Sequence, residues 1–186
     1  MNRTQFSLFL LLGLIIVVGI VLWKPIHSQH GSAAYIPAAL QTPSKTAACL
    51  THDGLPDAAC TPGGVDPAVT QDNIQQTICV SGYTKTVRPP VSVTSAIKTQ
   101  EMAAYGFTDS PKNYELDHLI PLELGGAPAD IANLWPEPAL PEPGFHQKDL
   151  VENYLHTQVC SGSEPLRQAQ ETIAGDWVAV YRMIPQ

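Results

Sequence analysis

Positive charge is scarce in this sequence. The 186 residues include 10 lysines and arginines against 17 aspartates and glutamates, which gives a formal net charge of -7. Proteins that grip long stretches of nucleic acid usually present a basic face, because phosphate contacts supply most non-specific affinity. No basic run of that kind occurs here. The composition therefore argues against a protein that coats DNA or reads its sequence, and only weakly against an enzyme that acts at a single phosphate.

Cysteine pairs of the CxxC type are also missing. The four cysteines are Cys49, Cys60, Cys79 and Cys160, and their spacing does not resemble that of a zinc ribbon. In an exported chain, four cysteines are most simply explained by two disulfides. Of the three pairings, we favour Cys49–Cys60 as a staple of the short loop between them. Cys79–Cys160 would then tie the front of the domain to its back.

Charged residues are absent from residues 6–23, an apolar run of about 18 residues between Arg3 and Lys24. The hydrophobic region of a signal peptide spans about 7–15 residues and a membrane-spanning helix needs about 20. Residues 1–26 are therefore predicted to be an uncleaved signal-anchor, with a cleaved signal peptide as the alternative. Either reading exports the rest of the chain. It would face the periplasm or the extracellular side from the inner membrane, or be secreted.

The remainder divides by composition. Residues 27–67 are rich in Ala, Pro, Ser, Thr and Gly and show no sustained period of 2 or 3.6, which predicts a flexible extracytoplasmic linker. Residues 68–186 are predicted to form one domain. The 17 prolines of the chain favour loops and short elements, because proline lacks a backbone donor.

Hydrophobic patterning and turn residues predict an α+β domain with two short strands among several helices. In chain order these are a helix over 71–77, a turn and extended piece over 79–90, a helix over 95–105, strands over 116–124 and 131–135, and helices over 146–159 and from 163 onward. The predicted buried residues of the last two helices are Leu150, Val151, Tyr154 and Leu155, then Leu166, Ala169, Ile173, Trp177 and Val180.

The middle of the chain carries the polar residues with chemical potential. Asp117 and His118 lie side by side on an apolar strand, Gly125-Gly126 follows as a turn, and Asn133 precedes a second apolar run. An Asp-His pair alone has no diagnostic value. The full combination reads Asp117-His118-Leu-Ile-Pro-Leu-Glu-Leu-Gly-Gly, then Asn133-Leu, then a helix that contains His146 and Asn153.

This combination resembles the HNH, or ββα-metal, finger of HNH endonucleases, over about a fifth of the chain. The flanking segments resemble exported bacterial proteins of the same kind. The resemblance implies a ββα-metal finger embedded among helices. The zinc-binding cysteine pairs of some HNH proteins are missing, so disulfides and extra helices would support it.

The resemblance also implies an activity, namely hydrolysis of phosphodiester bonds with one divalent metal ion, Mg²⁺, Mn²⁺ or Zn²⁺. His118 would be the general base, because a neutral imidazole accepts a proton near neutral pH. Asp117 would be an anionic metal ligand, and Asn133 would hold the turn or orient His118. Neighbouring strand residues point to opposite faces, so the strand must bend or end at Asp117-His118.

The second metal ligand is predicted on the helix that follows. His146 is the first candidate, Asn153 the second and Asp149 the third, since all three share one stretch of that helix. Arg88 and Lys148 are the candidate contacts to substrate phosphate. Each candidate also has a purely structural explanation. His118 would be a core histidine and Asn133 a turn residue. His146 and Lys148 would be solvated surface residues, and Arg88 would form a structural ion pair.

The predicted function is therefore a nuclease with little sequence specificity that acts outside the cytoplasm on DNA, with RNA as an alternative substrate. Its partners would be nucleic acid and, through the N-terminal segment, a membrane. No protein partner is inferred. The alternative is a non-catalytic envelope-binding or structural module that retains the HNH scaffold, which the acidic balance favours.

Overall fold

The structure is a computed structural model that describes Lys45 and residues 48–184. The predicted signal or anchor segment, residues 1–26, lies outside the described residues, as does the first part of the predicted linker. No helix in the described part of the chain is long and apolar enough to cross a membrane.

The described residues form a mixed fold of one small antiparallel sheet, α-helices and short 3-10 turns, which confirms the α+β class. The strands are β1 Tyr114–His118 and β2 Leu134–Pro138. The helices are α1 Tyr83–Val87, α2 Val91–Ala104, α3 Phe145–Cys160 and α4 Leu166–Met183. Short 3-10 turns lie at Gln71–Gln76, Pro111–Asn113, Leu122–Leu124 and Ile131–Asn133.

The bounds of both predicted strands are corrected: β1 is shorter than predicted, and β2 has the predicted length but lies three residues later in the chain. Strand β1 ends at His118, where it pairs with Leu134, instead of continuing to residue 124. Pro121 has no backbone donor to continue a ladder, and the next residues form a 3-10 turn. Strand β2 begins at Leu134, because the Asp130 carboxylate accepts from the backbone N–H of Ala132 and caps a 3-10 turn first.

The stretch predicted to be an extended piece contains a short helix instead. Helix α1 begins after Gly82, whose φ of 85° reverses the chain, and prolines follow its end. Helix α2 starts at Val91, directly after Pro90 and four residues before the predicted start. The predicted helix over 71–77 is a 3-10 turn in which Asn73 Oδ1 accepts from the Thr70 N–H.

Helices α3 and α4 pack against each other and form most of the main core. All five residues predicted to face inward on α4 are buried, so that prediction is confirmed. On α3, Val151 and Leu155 are buried as predicted, whereas Leu150 is 50% and Tyr154 39% exposed. The buried stripe of α3 is narrow and runs through Lys148, Val151, Leu155 and Val159, at helical spacings of three and four.

Both predicted disulfides are present. Cys49–Cys60 closes the short loop, and Cys79–Cys160 joins residues 81 positions apart. The second bond attaches the segment before α1 to the last residue of α3. No free cysteine occurs among the described residues.

The described part of the predicted linker packs on the domain. Thr61 is fully buried, and its hydroxyl forms a 2.7 Å hydrogen bond with Tyr105 at the end of α2. The ammonium of Lys45 lies 2.6 Å from the Glu101 carboxylate and donates to the Leu134 carbonyl at 2.9 Å. Residues 48–67 therefore belong with α2 and β2 and are not a free tether.

Candidate functional site

His118 is the last residue of β1, and only 5% of it is exposed. Its Nε2 atom lies 3.0 Å from the carbonyl oxygen of Pro128, in the loop between the strands. A carbonyl only accepts hydrogen bonds, so Nε2 carries the ring hydrogen. In the neutral ring, Nδ1 is then the nitrogen that is free to accept a proton.

Asn133 holds the loop that carries Pro128. It is fully buried, and its amide forms reciprocal 2.9 Å hydrogen bonds with the backbone N–H and C=O of Ile120. The same amide donates to the Ala127 carbonyl at 3.2 Å and accepts from the Gly64 N–H at 3.2 Å. All four partners are backbone groups. These bonds hold the loop between the strands around the Asn133 side chain. The predicted role of Asn133 in orienting His118 stays a prediction.

The Gly125-Gly126 turn is required by space as well as by backbone angle. Gly125 has a φ of 71°, which favours glycine. A Cβ added to Gly126 would overlap the carbonyl oxygen of Ile120 and approach the Asn133 amide nitrogen to 2.9 Å. This pair of glycines allows the loop to close around the Asn133 side chain.

A cleft of about 380 Å³ lies beside His118. It is bounded by the segment before α2, by β1 and by the start of α3. Its chemically important lining residues are Arg88, Lys98, Glu115 and His118. The structure thus brings two predicted site residues, Arg88 and His118, to the same cleft, and adds Lys98 and Glu115 to its lining.

The cleft contains positive charge with little internal compensation. Arg88 is exposed and makes no salt bridge within the described residues. Lys98 donates to the Tyr114 carbonyl at 2.7 Å and keeps its charge beside the cleft. Burial, followed by the charges of Asp117 and Asp149, raises the pKa of Glu115.

The environment of His118 favours its neutral form. Burial lowers the pKa of His118 most strongly, and the charges of Arg88 and Lys148 act in the same direction. The hydrogen bond with Pro128 and the charge of Asp117 oppose this effect without reversing it. Near pH 7 the imidazole is therefore able to accept a proton, as a general base requires.

Asp117 points to a different environment, a buried ion cluster under the strands. Its carboxylate lies 2.7 Å from the ammonium of Lys148, whose side chain is 1% exposed. The same ammonium donates to the His118 carbonyl at 2.8 Å and to the Glu152 carboxylate. Lys148 was predicted to contact substrate phosphate, but its ammonium is buried and is bonded to groups inside the protein. That prediction is corrected by the burial of the ammonium.

Glu137 of β2 completes this cluster and is fully buried. Burial, then the charge of Asp117, raises the pKa of Glu137 well above its ordinary range. Neither oxygen of this carboxyl has a hydrogen-bond partner among the described residues. Burial also raises the pKa of Asp117, but the charge of Lys148 holds it below the usual range. Burial raises the pKa of Glu152 against the attraction of Lys148.

The other predicted metal ligands do not converge on Asp117. His146 is exposed in the first turn of α3, with its ring 4.2 Å from that of Phe145. Asn153 is exposed, and its amide donates to the Asp149 carbonyl at 2.7 Å within the same helix. Seven residues of helix separate His146 from Asn153 by about 10 Å. Because metal–ligand bonds are about 2–2.6 Å long, these two side chains do not share an ion.

One other group of potential ligands is present in the part of the chain that the structure describes. Atoms of Cys79, His156 and Cys160 lie within 4.8 Å of one another. The two sulfurs are joined in a disulfide, and the thiolate is the form of cysteine that binds metals. In the oxidised protein this group therefore offers only His156.

Sequence reasoning missed Glu137 and Glu152. The spacing of Lys148 and Glu152 on one helix was a usable signal, since residues at i and i+4 are neighbours. Glu137 lies between two prolines in a stretch with no regular pattern. Its position beside Asp117 follows only from the strand register, in which Glu115 pairs with Glu137 and Asp117 with Trp135.

No family model matches the chain, and no curated protein or solved structure matches it. The resemblance to HNH endonucleases therefore stands on the motif residues themselves.

Proposed function

We propose that the cleft beside His118 hydrolyses phosphodiester bonds of nucleic acid and that the protein is an HNH-type endonuclease. The observation that carries the proposal is the placement of His118. A backbone carbonyl accepts from its Nε2–H, and His118 lines a cleft that Arg88 also lines. A base of defined tautomer beside an unpaired guanidinium suits attack on a phosphate.

The order of elements supports an HNH-like finger as the scaffold. An antiparallel pair, β1 and β2, is followed in sequence by helix α3. The ammonium of Lys148 in α3 bonds the main chain of β1 at the carbonyl of His118. Helix and strand are thereby joined at the residue that carries the proposed chemistry.

In the proposed reaction, Nδ1 of His118 removes a proton from a water molecule. The resulting oxygen attacks phosphorus, the bond to the leaving oxygen breaks, and the imidazolium retains the proton. The guanidinium of Arg88 forms charge-assisted hydrogen bonds with the non-bridging oxygens, and Lys98 adds positive potential. The leaving oxygen takes a proton from solvent.

The divalent ion implied by the resemblance has no fitting ligand set among the described residues. Asp117 is paired with Lys148, and the side chains of His146 and Asn153 lie outside that cluster. The proposed chemistry therefore rests on His118 and the cations of the cleft.

An extracytoplasmic location is part of the proposal. Both disulfides support it, because such bonds persist in oxidising compartments and are rare in the cytosol. The apolar run near the N-terminus would provide export and, if retained, a membrane anchor.

The test is a cleavage assay with the full-length protein, purified with its disulfides intact. Supercoiled plasmid DNA and single-stranded RNA are incubated with Mg²⁺, Mn²⁺, Zn²⁺ or a chelator. We expect cleavage, and a loss of at least about 100-fold in rate for His118→Ala, the range typical of a general base. The matched control is His52→Ala, an exposed histidine outside the cleft. Equal rates for wild type and His118→Ala would refute the assignment.

A non-catalytic envelope module is the second candidate. The observation that favours it is the closed ion cluster, in which the Asp117 carboxylate is occupied by Lys148. This candidate predicts a folded protein that cleaves neither substrate under any of these conditions. The same assay therefore separates the two functions.

A further inference from the structure

Three carboxyl groups from three different elements meet below the strands: Asp117 of β1, Glu137 of β2 and Glu152 of α3. The side chains of Asp117 and Glu152 are only 15% and 14% exposed, and Glu137 is fully buried. Buried carboxylates at this density repel one another, and each is costly to remove from water. Such a cluster requires a cation.

The oxygen atoms around that cation are of the kind that a hard divalent ion takes. They are the carboxylates of Asp117 and Glu152 together with the backbone carbonyl of His118. Mg²⁺, Mn²⁺ and Ca²⁺ bind through carboxylate and carbonyl oxygens. In this protein the same three oxygen groups all contact the ammonium of Lys148.

Lys148 fits the cluster closely. Its ammonium donates hydrogen bonds to the His118 carbonyl and the Glu152 carboxylate and forms an ion pair with the Asp117 carboxylate at 2.7 Å. The side chain is 1% exposed, so the charge is not shared with water. An ion cannot enter while the ammonium occupies the centre of the same oxygens, because the two positive charges would lie within contact distance.

We propose that the Lys148 ammonium is the resident cation of this cluster, in place of the divalent ion that the resemblance implies. The wild-type cluster therefore binds no divalent metal. Replacing Lys148 with a small residue removes the ammonium and its stem and leaves Asp117, Glu152 and the His118 carbonyl facing a vacated space. That variant gains a site for a hard divalent cation.

The experiment uses Mn²⁺ as the probe, with the full-length protein first stripped of metal by a chelator. Binding is followed through the loss of the free-ion signal in electron paramagnetic resonance and through the shift in Tm. We expect no binding by the wild type up to about 1 mM, the weak end of protein sites for hard cations. Lys148→Ala is expected to bind one Mn²⁺ with a Kd at least about tenfold below that limit.

Two further variants assign the gained ion to the cluster. Lys148→Met keeps the volume of the side chain without its charge, so it should bind no Mn²⁺. Asp117→Asn in the Lys148→Ala background removes one anionic ligand and should abolish the gain. Binding by the double variant with unchanged affinity would place the ion elsewhere and overturn the proposal.

The outcome does not depend on nuclease activity. Wild-type protein that binds Mn²⁺ and loses this binding in Asp117→Asn refutes the proposal, whether or not it cleaves nucleic acid. If Lys148→Ala unfolds in the absence of metal, circular dichroism with added Mn²⁺ replaces the Tm measurement. Recovery of the fold supports a gained site, whereas a chain that stays unfolded counts against it. A failed cleavage assay affects only the proposed function.

Discussion

The ammonium of Lys148 lies 2.7 Å from the carboxylate of Asp117 and 2.8 Å from the backbone oxygen of His118. One side chain of α3 therefore contacts both members of the Asp-His pair, in two different ways. Asp117 is neutralised in the interior. The side chain of His118 remains available at the cleft, bonded to Pro128 on its far side. Two adjacent residues of one strand thus have separate tasks.

Loss of the Lys148 ammonium should destabilise the protein strongly when no metal is added. Lys148→Met leaves the buried Asp117 carboxylate without its cation, and breaking a buried pair costs about 3–5 kcal/mol. Urea unfolding measures the change. Arg167→Ala is the matched control, because Arg167–Glu171 is also an i,i+4 pair but is 87% and 64% exposed. Arg167→Ala should leave the unfolding midpoint unchanged. Similar losses of stability for the two variants would contradict the role given to the Lys148 ammonium.

Gly126→Ala should prevent stable folding. The added methyl group would overlap the Ile120 carbonyl and press on Asn133, and both belong to the hydrogen-bonded centre of the loop. We expect a loss above about 4 kcal/mol, in the range that marks such clashes. Gly175→Ala is the control, since nothing lies within 4 Å of its added Cβ. Thermal unfolding of the two variants checks the prediction. A Tm for Gly126→Ala close to that of the wild type would contradict it.

The contribution of Glu152 to the stability of the protein should fall as pH rises from 4.5 to 8. Burial raises the pKa of Glu152 from 4.5 to about 8, so in this window the folded state binds more protons than the unfolded state. Such a group stabilises fully below its unfolded pKa, and the stability is lost as pH rises through the folded pKa. One proton changes the free energy of unfolding by at most about 1.4 kcal/mol per pH unit.

Glu152→Gln tests this dependence, because the amide keeps the shape of the side chain but does not titrate. Urea unfolding across the window should give a flatter profile for this variant than for wild type. Some slope should remain, since the pKa of Glu137 is also raised. Glu171→Gln, at an exposed position, serves as the control and should keep the wild-type slope. If the free energy of unfolding changed with pH to the same extent in wild type and Glu152→Gln, Glu152 would not be the source of the pH dependence.

Removal of the cleft guanidinium should weaken substrate binding. Arg88→Ala deletes a cation that has no salt-bridge partner within the described residues, so the fold should be preserved. We expect KM for an oligonucleotide to rise about tenfold, the equivalent of one charge-assisted hydrogen bond to phosphate. Lys85→Ala, an exposed cation on α1 outside the cleft, is the control. Equal KM values for both variants would remove Arg88 from the site.

The pH profile of cleavage should report His118. Burial lowers the pKa of His118 below 6.5, so the neutral base predominates already at neutral pH. We expect kcat/KM to rise with pH through a single step below 6.5 and to stay constant above it. Initial rates at low substrate concentration measure this profile. A step above 6.5 would show that a different group limits the reaction.

Several features were predictable because they depend on local signals. The five inward residues of α4 follow from a strong helical period, and all are buried. The disulfide pairing that we favoured among three possibilities is present, with Cys49–Cys60 closing a short loop. The demand that the strand bend or end at Asp117-His118 is also met, since β1 ends at His118.

Other features were not predictable, because long-range packing decides them. On α3, Leu150 and Tyr154 were predicted to be core residues, but both are exposed. The face of the helix that packs against the core is the one that contains Lys148. A lysine is normally left at the surface, and only the acidic groups of two strands and its own helix make its burial favourable. Sequence spacing does not show that Glu137 of a proline-rich stretch completes this cluster.

The sequence by itself determined the α+β class, the disulfide framework and the identity of His118 and Asn133 as central polar residues. Only the tertiary structure decided what each polar group does. Asn133 bonds the backbone of the loop, His118 lines the cleft, and Asp117 pairs with Lys148. The physical reason is that a side chain's role depends on which distant group replaces its contact with water. That group is set by strand register and by the rotation of α3.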